Sequence, residues 1–163
     1  MSTEGNKTLM HRFLEEVFNK KNLSALDEFI APNQVDHTLP AFLPTTPEGT
    51  KRAIGMYLKA FPDLHLTVED MFAEGDKVVT RFTSRGTQKG AFVGMPPTGK
   101  QMTVSTIVIA RIAEGKIVEQ WGLDDQMGML QQLGVIPALF GLVLLAGFAA
   151  GMGLLVLLRK VLK

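Results

Sequence analysis

The chain has 163 residues, no cysteine and a formal net charge of +1, so disulfides, thiolate nucleophiles and cysteine-built metal sites are excluded, and nucleic-acid binding has no electrostatic footprint. All 16 acidic residues lie in residues 1–134, whereas three of the 17 Lys and Arg (Arg159, Lys160 and Lys163) lie beyond them. Those first 134 residues are enough for one domain with a real core and too few for two.

Leu9, Phe13 and Val17, with Met10, Leu14 and Phe18 beside them, form the stripe of an amphipathic helix that ends near Lys20. Asn22 can cap a second short helix carrying Leu23, Leu26, Phe29 and Ile30 on one side, which Pro32 ends. A short extended stretch over 34–39 follows. Thr46-Pro47 is a strong helix start, and Ile54, Tyr57, Leu58 and Phe61 give the buried stripe of the third helix.

Past Pro62-Asp63 the pattern turns to strands, over 64–73, 78–86, 102–113 and 116–123. Glu74-Gly75-Asp76 and Glu114-Gly115-Lys116 supply hairpin turns between them. Three helices followed by a meandering antiparallel sheet is an α+β order, distinct from βαβ alternation. A last short helix spans 125–133, ending at Gly134. Gly94 to Lys100 fits the opening of a phosphate-binding loop, but Gln101 replaces Ser or Thr, Pro96 and Pro97 remove two backbone donors, and a strand follows. That reading is rejected.

Residues 135–158 then contain no charged or amide side chain, no histidine, serine or threonine. At about 1.5 Å per residue a helix of that length is roughly 36 Å long and spans a bilayer core of about 30 Å with modest tilt. The segment 135–163 therefore reads as a transmembrane helix with a basic end, contacting the membrane through residues 136–158. Met1 to Thr8 is polar and offers no export signal, so the expected arrangement is a single-pass C-terminal anchor with the domain in the cytosol. Gly147 and Gly151 make a G-x-x-x-G pair at which a second helix could approach.

Phe61-Pro62-Asp63-Leu64-His65, Arg85-Gly86-Thr87, Gly94-Met95-Pro96-Pro97-Thr98-Gly99-Lys100, and Gly115 through Trp121 form an ordered series. Over about residues 5–134 the chain resembles the SnoaL-like polyketide cyclases, or ester cyclases, of the nuclear-transport-factor-2-like superfamily. The resemblance implies a cone-shaped fold in which a curved antiparallel sheet wraps three helices around an apolar cavity. It further implies intramolecular aldol closure of a hydrophobic small molecule without a cofactor or metal, and a homodimer.

The resemblance puts the acid/base carboxylate four residues after the strand tryptophan, on Asp125, and Trp121, Leu123 and Asp125 share one parity along the strand. Asp125 is equally suited to cap the final helix. His37 matches a family position at the cavity mouth and titrates near neutrality, so it could assist Asp125. Gln88 stands where relatives often carry a histidine; it hydrogen-bonds but cannot exchange a proton near neutral pH. Arg81 and Arg111 could orient a ligand oxygen from within strands, and Tyr57 and Trp121 are expected to wall the cavity. A binding module of the same fold, without turnover, is the alternative.

Overall fold

The structure, a computed structural model, describes residues 2–135. The expected transmembrane segment, residues 136–158, lies outside the described residues. Among the described residues no helix is long and apolar enough to cross a membrane.

Helix α1, Thr3–Phe13, starts where the Ser2 hydroxyl accepts the Gly5 N–H. It runs on into a π-helical turn, Leu14–Asn19, which brings the Asn19 side chain against strand β2 (His65–Glu74). There the Asn19 amide donates to Leu66 O at 3.0 Å and its Oδ1 accepts the Leu66 N–H at 2.8 Å. The second helix is shorter than expected, a 3-10 turn at Leu23–Ala25 followed by α2, Leu26–Phe29. Asn22 does not cap it; its Oδ1 accepts the Ser24 hydroxyl instead.

Strand β1, Ile30–Asp36, begins four residues before the expected stretch and contains Pro32. A proline is tolerated because β1 is an edge strand with irregular register between Ile30 and Val35. Helix α3, Pro47–Ala60, has Pro47 in its first turn as expected, although the Thr46 side chain makes no capping bond. Strands β3 (Lys77–Thr87), β4 (Gln101–Ala113) and β5 (Lys116–Asp124) and helix α4 (Gln126–Gln132) fall within a residue or so of their expected bounds. The turns at Gly75 and Gly115 need positive φ, 57° and 74°, which glycine supplies without a Cβ clash.

The five strands lie in the order β1-β5-β4-β3-β2. All pairs are antiparallel except β1 with β5, which is parallel, so the sheet is a meander closed by an N-terminal edge strand. One face carries Val78, Phe82, Met102, Val104, Ala110 and Ile112, all buried, against Met10, Phe13, Val17 and Leu26 from the helices and Phe61 just after α3. The opposite face carries Phe72, Ile107, Ile109 and Leu123, all exposed.

Candidate functional site

The pairing of β4 with β5 fixes which residues of the last strand point inward. Ala110 pairs with Gln120, Val108 with Gly122 and Thr106 with Asp124. Ala110 is fully buried and Gln120 nearly so, and alternate residues share a face, so Gln120, Gly122 and Asp124 form the inner set. Trp121 and Leu123, opposite Ile109 and Ile107, form the outer set. The shared parity of Trp121, Leu123 and Asp125 thus belongs to the outer face, and Trp121 does not wall the interior.

A bulge produces this assignment. Ile112 pairs with Ile117 and Arg111 with Glu119, leaving Val118 as an extra residue in β5. The buried Ile117 is odd-numbered, whereas after the bulge the inward positions are even-numbered, because one inserted residue exchanges the two faces.

Three of the expected site residues meet on the outer face. The His37 ring stacks on Trp121 with centroids 5.2 Å apart and planes 7° from parallel, and His37 Nε2 lies 3.1 Å from Glu119 Oε1. Arg111 donates to Glu119 Oε2 through Nε at 3.0 Å. The His37 hydrogen bond, then the Arg111 contacts, hold the Glu119 carboxyl below its ordinary value. Beside the stack is a cleft of about 420 Å³ lined by Phe72, Ala73, Glu74, Lys77, Val79, Ile109 and Trp121, with Lys77 Nζ 6.0 Å from the Trp121 ring centre. Arg81 also faces outward but is committed to Asp70, to which its Nε donates at 2.9 Å.

The inner face carries a different constellation. Asp36, 1% exposed, accepts four bonds: from Thr38 N–H at 2.9 Å and Thr38 hydroxyl at 2.6 Å on one oxygen, and from Thr50 hydroxyl at 2.9 Å and Gln120 amide at 2.7 Å on the other. Farther along, Tyr57 on α3 packs against Phe92 and Phe61, with ring centres 4.7 and 6.2 Å away. Burial, and then the charge of Asp124, push the Tyr57 hydroxyl up to about 12, so it is a proton donor at any ordinary pH. Asp125 is exposed, and its Oδ1 accepts the Gly128 N–H at 2.8 Å as the N-cap of α4.

Gln88 is fully buried and organises the loop between β3 and β4. Its Nε2 donates to Pro96 O at 3.2 Å, its Oε1 accepts the Thr98 hydroxyl at 2.7 Å, and its backbone N–H donates to Lys100 O. Gly90 beside it approaches α3 so closely that a Cβ would lie 2.4 Å from Lys59 O. Gln88→Ala removes the two side-chain bonds to Pro96 O and Thr98 from a fully buried position and should cost about 1–3 kcal/mol, read as a lower thermal midpoint and faster proteolysis within residues 89–99.

Among the described residues no group of three His, Asp or Glu side chains is placed to hold a metal ion. The residues that reading by motif missed are Asp36, Thr50, Gln120 and Asp124. Asp36 and Asp124 each adjoin an expected residue, His37 and Asp125, and alternation alone would have marked one of each pair as inward.

The family model for SnoaL-like polyketide cyclases matches residues 8–133. Nogalonic acid methyl ester cyclase of Streptomyces nogalater is 29% identical over 119 residues, covering 72% of this chain and 89% of that protein. Aklanonic acid methyl ester cyclase DnrD of Streptomyces peucetius is 30% identical over 108 residues, covering 66% and 72% respectively. Among solved structures, TsrD of Streptomyces laurentii superposes with a TM-score of 0.75 at 32% identity, covering 83% of this chain and 98% of its own. IdmH of Streptomyces antibioticus does so with a TM-score of 0.69 at 35% identity, covering 80% and 99%.

Proposed function

We propose, from the premise that this chain belongs to the SnoaL-like polyketide cyclase family, that it closes a ring in a lipophilic carbonyl compound by general acid–base catalysis while tethered to a membrane by residues 135–158. The observation that carries this reading is the match of the cyclase family model over residues 8–133, with the two carboxylates Asp124 and Asp125 standing in sequence at the end of β5. Ring closure of this kind needs one group to take a proton from carbon and return it to oxygen, and a positioned carboxylate does both. The resemblance assigns that group to Asp125, with His37 assisting.

Tethering follows from sequence: the uncharged run starts immediately after Gly134, so the domain sits against the bilayer, where lipophilic substrates partition. A C-terminal tag should then be protected from protease in sealed vesicles while residues 1–134 are digested. Digestion of both from the cytosolic side removes the anchor.

A second reading, a binding module without turnover, is favoured by the outer cleft beside Trp121. The two separate in one experiment, in which the detergent-extracted chain is incubated with nogalonic acid methyl ester and aklanonic acid methyl ester, the compounds named for its relatives. Cyclisation yields a product of unchanged mass and altered chromatographic retention. Return of both compounds unchanged, with quenching of Trp121, the only tryptophan, supports binding on the outer face instead.

A further inference from the structure

We propose that a cleft at the basic end of the sheet's outer face, lined by His65, Arg85, Thr87, Gln101 and Thr103, binds the phosphate of an anionic lipid headgroup in the membrane that anchors the chain. The inference rests on the tether proposed above and names what the domain touches there. Strand register builds the cleft. His65 pairs with Arg85 and Arg85 with Thr103, so three neighbouring strands set them in one row, and Thr87 pairs with Gln101 in the next row. Directly opposed side chains stand about 4.5–5.5 Å apart. Gln101 and Thr103 share the parity of Ile107 and Ile109, with no register break between β3 and β4, so both rows lie on the outer face. With Asp63 they enclose about 190 Å³, the room of about six waters.

Charge selects the ligand. Residues 77–113 carry Lys77, Arg81, Arg85, Lys89, Lys100 and Arg111 and no acid. Arg81 is spent on Asp70 and Arg111 on Glu119, whereas Arg85, Lys89 and Lys100 make no ion pair among the described residues. Asp63 is the one acid in the lining, and its two oxygens already accept the Thr87 N–H and the Thr87 hydroxyl, each at 2.7 Å. The guanidinium fork of an exposed arginine matches a phosphate, and the exposed Gln101 and Thr103 add neutral donors beside it.

The chain leaves the domain past this cleft. The Asp125 N–H donates to Ser105 O. Gln132 then brackets Thr103, its Oε1 accepting the Thr103 N–H at 2.7 Å and its Nε2 donating to Thr103 O at 3.0 Å. Gly134 lies against the Lys100 ammonium, where a Cβ would collide with it. Residues 125–134 thus follow the edge of β4 from Ser105 through Thr103 to Lys100, and the uncharged run begins there. At about 3.4 Å per strand residue the two rows lie roughly 3–10 Å from Lys100. That is the scale of a headgroup layer, roughly 5–8 Å deep on each side of the hydrocarbon, within which anionic lipids attract Lys and Arg.

The full chain in a neutral maltoside detergent is titrated with dihexanoyl phosphatidylglycerol, dihexanoyl phosphatidylcholine or inorganic phosphate, and the Arg85 Nε–H and the Thr87, Gln101 and Thr103 N–H signals are followed by NMR. Phosphatidylglycerol should shift them saturably and phosphatidylcholine should not. Arg85→Gln should weaken that binding about fivefold or more. Arg52→Gln, which removes the same charge from an exposed position on α3, should leave it within about twofold. Circular dichroism establishes that each variant is folded; if Arg85→Gln is not, Thr103→Val, which deletes one donor of the cleft, carries the comparison. Equal responses to the two lipids, equal weakening by Arg52→Gln, or a response to inorganic phosphate alone overturns the headgroup site. Release of the chain from phosphatidylcholine vesicles by alkaline carbonate overturns the tether and the lipid source together. Retention in those vesicles with no shifts in the titration overturns the cleft alone.

Discussion

Phe61→Ala should lower the stability of the domain by about 3–5 kcal/mol, the range for truncating a fully buried aromatic, with a fall in thermal midpoint on the order of 10–20 °C. Phe61 is 0% exposed and lies where α3 hands the chain to β2. Its ring sits between Tyr57 and Phe92, 6.2 and 5.4 Å away, and its N–H donates to Tyr57 O at the end of the helix. Removing the ring leaves a cavity directly behind Tyr57, so the loss extends to the position of that ring as well. Phe61→Leu refills most of the volume and should cost roughly 1–1.5 kcal/mol. Chemical denaturation of the two variants checks both figures, and equal losses would mean that the ring's shape is irrelevant there.

Asp36→Ala should cost a comparable amount, about 3–4 kcal/mol, by a different cause. The carboxylate is buried and is compensated by four donated bonds with no cation among its partners. Its removal leaves the buried Gln120 amide without this acceptor and turns the buried Thr50 hydroxyl to Gln34 Oε1, while the exposed Thr38 can bond to water; an unpaired buried donor costs about 1–3 kcal/mol before relaxation, and the packing of the lost side chain adds to that. The network ties β1 to α3 and β5, so the same variant should loosen the edge strand. Amide exchange of Val35 and His37 is the readout: His37 N–H donates to Gln120 O and should lose protection first. Asp36→Asn keeps one acceptor oxygen and should lose about half as much; unchanged stability in Asp36→Ala would show that water replaces the carboxylate without penalty.

The element order and most boundaries were legible because hydrophobic period, hairpin glycines and the Thr46-Pro47 start act locally. Strand β1 was not, since Pro32 argues against a strand unless its edge position is known. The site was half legible. Alternation sorts β5 into two sets correctly, but Ile107, Ile109 and Leu123 make the outer face as apolar in sequence as the inner one, so composition could not say which set faced the core. Counting forward from Ile117 gives the wrong face because the bulge at Val118 shifts the parity. His37 and Trp121, each expected at the cavity, stack on one another on the side away from the helices. The bond from the Gln120 amide to Asp36 joins β5 to β1 across 84 residues of chain, a proximity that only the folded sheet supplies.

The central claim is that the chain acts by general acid–base catalysis, and the most direct measurement is deuterium exchange into methyl nonyl ketone by the unaltered chain and by Asp125→Asn, compared side by side. The account predicts that the unaltered chain exchanges the protons next to the carbonyl and that Asp125→Asn does so more slowly, on the order of 10²-fold. Equal rates in the two, or no exchange by the unaltered chain, would contradict the account.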